Sequence, residues 1–143
     1  MAATHFSGPV VLGAGSVETL SAAKTLVPND SGKVFFLDGT VGATVTLPKI
    51  AAGMRFKFVV ASAFATSNWV IDSYEGDNIN GIIASMGSSV AGVPAVGEDQ
   101  INFVASAEAI GDYVELVADA TNSQWLVSGM CATDSGITVT DPS

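Results

Sequence analysis

The sequence predicts an all-β fold, a sandwich or barrel of jelly-roll or Greek-key type preceded by an extended N-terminal arm. Three observations predict it. Residues Asp112 to Gly129 read as a β-hairpin, two runs rich in Val, Leu, Tyr and Trp separated by the polar turn Asp119-Ala120-Thr121-Asn122-Ser123. Residues Met54 to Val60 alternate, with Met54, Phe56, Phe58 and Val60 on one face and Arg55, Lys57 and Val59 on the other, the period of a half-buried strand. The remainder is written in short apolar runs punctuated by Gly, Asn, Asp and Pro, and no segment commits to helical spacing.

Taken in order, residues 1 to 16 combine Gly, Ser, Ala and Pro with an apolar group, too irregular for a helix and too apolar for a flexible linker; they are assigned to the arm. Its contact-forming residues are expected to be His5, Phe6, Pro9, Val10, Val11 and Leu12. Residues 17 to 143 are assigned to a single β domain. Val17 to Val27 fits either helical spacing or a strand stopped by Pro28, and is taken as a strand. Turns follow at Pro28 to Gly32 and Asp38 to Gly42, with strands at Val34 to Leu37 and Ala43 to Leu47, the latter ended by Pro48. Further strands are expected at Trp69 to Asp72, Ile79 to Ile83, Ile101 to Val104, Tyr113 to Ala118, Gln124 to Ser128 and Ile137 to Val139, with Ala84 to Gln100 as a Gly, Ser and Ala loop. No repeat of fixed period is visible, and a parallel α/β architecture is disfavoured.

A chain of 143 residues has room for a core that needs no disulfide or metal. Only 13% of it is charged, against about 25% in an average soluble domain, so its surface is built largely of Ser, Thr, Asn, Gly and small apolar groups, which suits contact with other protein. The net charge is −9, unevenly placed. All five basic residues fall within the first 57 positions beside three acids, a local balance of +2, and the other eleven of the fourteen acids follow with no Lys or Arg. Folding either keeps the two sets apart, giving a polarised surface, or mixes them. In both cases the acidic excess disfavours nucleic acid. The N-terminus lacks a basic signal-peptide region and no run of eighteen apolar residues occurs, so no membrane role is expected. The sequon Asn29-Asp30-Ser31 reads as a turn.

Chemical equipment is sparse. One His and one Cys exclude a His-rich or CxxC zinc site, and nothing in the sequence brings His5 and Cys131 together as a nucleophile pair. Cys131 is expected to be a buried, unreactive thiol. Gly13-Ala14-Gly15-Ser16 lacks the lysine of a phosphate loop. Asp72, Glu75 and Asp77 leave open a paired-carboxylate hydrolase, and the run Asp72 to Gly81 concentrates oxygen ligands without the order of a calcium loop. Trp69, Tyr74 and Trp125 are either stacking platforms for sugar or core residues. No enzyme, cofactor or metal site is expected.

Several strings together resemble a family. Gly42-Ala43-Thr44-Val45-Thr46-Leu47-Pro48, Ala52 to Phe58, Asn78-Ile79-Asn80-Gly81, Gly111 to Val117 and Asn122 to Val127 look like small β-rich structural proteins of tailed bacteriophages. Thr4 to Val11 and Asp30 to Leu37 resemble the head decoration, or cement, proteins among them, and related strings occur in tail-fibre modules. The resemblance implies a non-catalytic virion protein, synthesised in the bacterial host cytoplasm and assembled, commonly as a homotrimer, on the outer surface of an icosahedral head. There it would bind the major capsid protein and bridge neighbouring subunits. A tail-fibre or adhesion module that binds host glycan is the alternative.

Overall fold

The computed structural model describes residues 16–76, 78–87 and 92–142. Twelve strands occur among them: β1 Val17–Leu20, β2 Lys24–Thr25, β3 Val34–Leu37, β4 Thr44–Thr46, β5 Arg55–Val60, β6 Trp69–Asp72, β7 Ile79–Ser85, β8 Val93–Glu98, β9 Gln100–Phe103, β10 Tyr113–Asp119, β11 Gln124–Cys131 and β12 Ile137–Thr140. A 3₁₀ turn at Pro28–Asp30 is the single helical element there. The strands form two mixed sheets packed face to face, one ordered β1-β3-β5-β10-β11-β7-β8, the other β12-β9-β6-β4-β2. The expected arm, including His5, Phe6, Pro9, Val10, Val11 and Leu12, lies outside the described residues except for Ser16, which adjoins β1.

Strands β1 to β6 alternate between the two sheets, and their neighbours run parallel: β1 with β3, β3 with β5, β2 with β4, β4 with β6. Parallel neighbours cannot be joined by a tight turn and need a crossover, usually a helix. Here each crossover is a strand of the opposite sheet, so the first half of the domain is wound as a coil around its own core. The all-β sandwich expected from sequence is therefore what the chain forms. Jelly-roll and Greek-key connectivity joins antiparallel strands and is not confirmed.

The second half closes the sandwich with antiparallel pairs. The β10–β11 hairpin is in register from Tyr113↔Met130 to Asp119↔Gln124. Its turn is fixed by Asp119, whose carboxylate accepts from Asn122 Nδ2 at 2.7 Å and Gln124 Nε2 at 2.9 Å; these bonds, Asn122 first, hold its pKa below the usual value. Strand β10 then inserts beside β5, and β7 pairs parallel with β11. Gly81 is required at that seam: at φ 145° any Cβ would stand 2.0 Å from the Val127 carbonyl oxygen. The expected loop from Ala84 to Gln100 contains strand β8, whose Pro94, Ala95 and Gly97 carry little strand propensity and are held by pairing with β7.

Alternation decides which side chains meet inside. Phe35, Phe58, Val114, Leu116 and Trp125 from the large sheet, and Val45, Trp69, Ile71, Ile101 and Phe103 from the small one, are buried in a continuous core. Phe35 stacks on Phe58 with ring centroids 5.3 Å apart, and Phe56 tilts against Trp125 at 5.8 Å.

Where β1 and β2 leave the sandwich open, an ionic cluster occupies the mouth. Lys33 Nζ lies 2.7 Å from Asp30 Oδ1 and 3.0 Å from Glu18 Oε2, and Lys24 Nζ lies 2.5 Å from Glu18 Oε1. Asp30, 6% exposed, also accepts from the Val27 backbone N–H at 3.0 Å. Hydrogen bonds from Lys24 and Lys33 hold the Glu18 carboxyl below its ordinary value. At Asp30 burial opposes ionisation, and Lys33 with the Val27 amide outweighs it, so its pKa is also lowered.

Both carboxyls bind protons less readily folded than unfolded. Their stabilisation is complete above the unfolded carboxylate pKa and is lost as pH falls through the lower folded values. Acid titration of chemical denaturation is therefore predicted to show falling stability below the ordinary carboxylate range. Asp30→Ala, which strands the Val27 amide and takes from Lys33 one of its two carboxylate partners, is predicted to cost about 1–3 kcal/mol at neutral pH and to flatten that acid dependence.

Candidate interaction surface

Cys131, Asp72, Glu75 and Asn80, among the described groups that could carry chemistry, are engaged within the fold. Cys131 is buried; burial raises its thiol pKa, and its Sγ lies 3.1 Å from the Thr133 carbonyl. Asp72 accepts from Gln100 Nε2 at 2.7 Å, Glu75 from the Ile50 N–H at 3.0 Å, and Asn80 from the Gly97 N–H at 2.9 Å. Ser73 donates to Asn78. Asp77 lies outside the described residues, as does His5. Among the described residues no group of three or more His, Cys, Asp and Glu could hold a metal ion. Asp112 is buried and bonded to the Ala109 and Ala132 amides at 2.9 Å each, a strut between β12's approach and the β9–β10 loop.

The three aromatics considered for sugar stacking are not brought together. Trp69 and Trp125 are fully buried, each with its indole N–H unpartnered, and serve the core; only Tyr74, 68% exposed, reaches solvent. A stacking platform built on both tryptophans is thereby ruled out, because a ring with no accessible face cannot receive a sugar.

The two outer faces of the sandwich differ in kind. On the small sheet the outward rows are Thr25, Thr46, Asp72, Gln100 and Thr140, then Thr44, Val70, Asn102 and Thr138. These groups bond among themselves, as in Asn102 Nδ2 to Thr140 Oγ1 at 3.0 Å, and make a polar, nearly uncharged surface.

On the large sheet, register aligns Arg55, Val117, Leu126, Asn80 and Val96 in one outward row and Val17, Val34, Lys57, Glu115, Ser128, Ile82 and Pro94 in the next. Val117, Leu126, Met130, Ile82 and Val96 are exposed there by 39% to 77%. Adjacent on four paired strands, they form an apolar patch of the order of a few hundred Å², the scale of an interaction site on a soluble protein.

Beside the patch, a shallow groove of about 240 Å³ runs between β3, β5 and β10 and is lined by Val34, Arg55, Lys57, Glu115 and Val117 among others. Lys57 sits 4.8 Å over the Tyr113 ring and 3.5 Å from Glu115. At this point folding interleaves the basic N-terminal set with the acidic C-terminal set. Arg55 is exposed and extends the groove's positive side.

This face was not singled out from sequence, although it left a trace: β10 and β11 carry apolar residues on both sides, Leu116 and Val127 inward, Val117 and Leu126 outward. A strand that faces water on one side normally alternates with polar residues. No family model, curated protein or solved structure matches this chain.

The distinction between face and core is measurable. Val117→Ser with Leu126→Ser is predicted to leave stability within about 0.5 kcal/mol of wild type per site and to reduce binding of a hydrophobic dye. Trp125→Ala is predicted to cost about 3–5 kcal/mol in denaturant unfolding.

Proposed function

We propose that this protein is a viral structural protein, a capsid decoration or cement protein that binds the outer surface of an icosahedral phage head and acts as a homo-oligomer to bridge and stabilise neighbouring capsid subunits. The observation that carries this reading is the exposed apolar face of a wide sheet, in a chain whose Cys131 is buried and whose Asp72 and Glu75 are bonded internally. Its partner is the major capsid protein. The contact buries Val117, Leu126, Ile82 and Val96, with Arg55 meeting a carboxylate of the shell. Apolar burial contributes about 25 cal/mol per Å² before ordering costs are subtracted, so one contact is modest and many copies act together.

Two further features support it. The resemblance to structural proteins of tailed bacteriophages runs through strings spread over most of the chain, from Thr4 to Val127, and Thr4 to Val11 with Asp30 to Leu37 resemble the head decoration proteins among them. The net charge of −9 keeps such a protein soluble and off packaged DNA. The tail-fibre alternative asks for aromatic stacking on glycan, and of the residues considered for it only Tyr74 is exposed.

Co-sedimentation with emptied heads tests the reading. Leu126→Asp is predicted to lower affinity at least tenfold, by analogy with an interface hot spot worth about 2 kcal/mol or more, while Thr46→Asp on the opposite face leaves it unchanged. Deleting residues 1 to 12 is predicted to weaken attachment without unfolding the domain. Wild-type occupancy by the Leu126 variant, or saturable Tyr74-dependent binding on a glycan array without binding to heads, overturns the proposal.

A further inference from the structure

A sandwich has four strand edges, and an open edge recruits further strands unless something blocks it. Here the edges are β1 and β8 of the large sheet and β12 and β2 of the small one. In β8, Pro94 has no N–H to offer and the ladder is interrupted between Ile79 and Asn80. Strand β2 has two residues and soon meets Pro28. Strand β12 packs against β8. Strand β1, Val-Glu-Thr-Leu, has four residues, no proline and no bulge.

The direction of its backbone groups follows from the ladder. Val34 N–H donates to the Ser16 carbonyl at 2.7 Å and Asp38 N–H to the Leu20 carbonyl at 2.8 Å. Ser16, Glu18 and Leu20 therefore address β3, and Val17 and Thr19 turn both N–H and C=O away from the sheet. Those four groups have no bond among the described residues, and both side chains are exposed.

We infer that β1 pairs antiparallel with β1 of a second copy, about a two-fold axis that passes through Glu18 normal to the sheet. The segment is complementary to itself in that register. Val17 of each copy stands opposite Thr19 of the other, and each such pair exchanges two N–H···O bonds, using all four free groups on both sides. The side chains so opposed are both β-branched, a favourable cross-strand combination.

Glu18 then faces its own counterpart on the inner side, and an inward charge ordinarily guards an edge against pairing. In this chain the charge is already neutralised: Lys24 and Lys33 balance Glu18 and Asp30 within one bonded cluster. That neutrality also favours a second copy over a charged foreign strand.

An axis normal to the sheet leaves both seven-stranded sheets facing the same way. The two apolar patches then lie on the same face of one continuous sheet, roughly 40–45 Å apart by counting strand spacings from β1 to β11, and the pair is a bivalent adhesive. Bridging requires at least two contact faces on one side, and avidity then multiplies weak single contacts. The use of the pair rests on the capsid reading above; the pairing itself is measured with no shell present, so the two can fail separately. Two-fold pairing departs from the trimer that the family resemblance implies.

The test is sedimentation velocity on the full chain over a concentration series, with hydrogen exchange on the same samples. Wild type is expected to reach twice the mass of one chain, with the Val17 and Thr19 amides gaining protection as concentration rises. Thr19→Pro deletes a donor that the native ladder does not use, and is expected to raise the dissociation constant about 10- to 100-fold, whereas Thr19→Val retains pairing. A wild type that stays monomeric at high micromolar concentration, assembles as a trimer, or shows no concentration-dependent protection at those two amides overturns the inference. So does a folded Thr19→Pro variant that associates as wild type does. Should that variant fail to fold, the wild-type exchange data decide alone.

Discussion

Phe35, Phe56, Phe58 and Trp125 form one aromatic layer on the inner face of the large sheet and share a core with Val45, Trp69, Ile71, Ile101 and Phe103 of the small one, and the chain crosses from one sheet to the other at every step from β1 to β6. This contact between two inner faces is what the rest of the molecule stands on. Because each parallel neighbour is reached through the opposite sheet, the layers cannot separate without undoing several strand pairings at once. The domain therefore needs no disulfide, and Cys131 is free to serve as a small buried residue. Its rigidity is a property of winding as much as of burial.

Rigidity gives the outer faces their meaning. A well-paired sheet presents side chains at fixed spacing, so an apolar patch on it is preorganised and loses little conformational entropy on contact. The small sheet uses this stiffness for a polar surface of Thr, Asn and Gln bonded to one another; the large sheet uses it for Val117, Leu126, Ile82 and Val96 beside Arg55. The ionic cluster of Glu18, Lys24, Asp30 and Lys33 does different work. It ties β1 to β2 across the two sheets and balances the charge of Glu18.

Much of the fold was legible in the sequence because period-2 alternation in β5 and the Val- and Leu-rich hairpin of β10 and β11 are local signals. Their pairing partners were not. The coil registers Val17 with Val34 and Val34 with Lys57, then Lys24 with Val45 and Val45 with Ile71. Those steps differ in length, so no fixed period marks the winding, and parallel pairing is non-local by nature. Strand β8 was hidden by Pro94, Ala95 and Gly97, which form a strand only because β7 offers a partner. The tryptophans were ambiguous since burial is set by the opposite sheet. The exposed face was missed because Leu126 and Val117 look like core residues until the register assigns their direction.

The proposed contact surface is the outer face of the seven-stranded sheet and not the polar face of the other. Oxidative footprinting of the protein free and bound to emptied phage heads measures this directly. Ile82, Val96, Leu126 and Met130 are expected to become protected on binding while residues flanking Thr44, Thr46 and Thr138 keep their free reactivity. Protection confined to the polar face, or binding with all four apolar side chains still fully reactive, would contradict it.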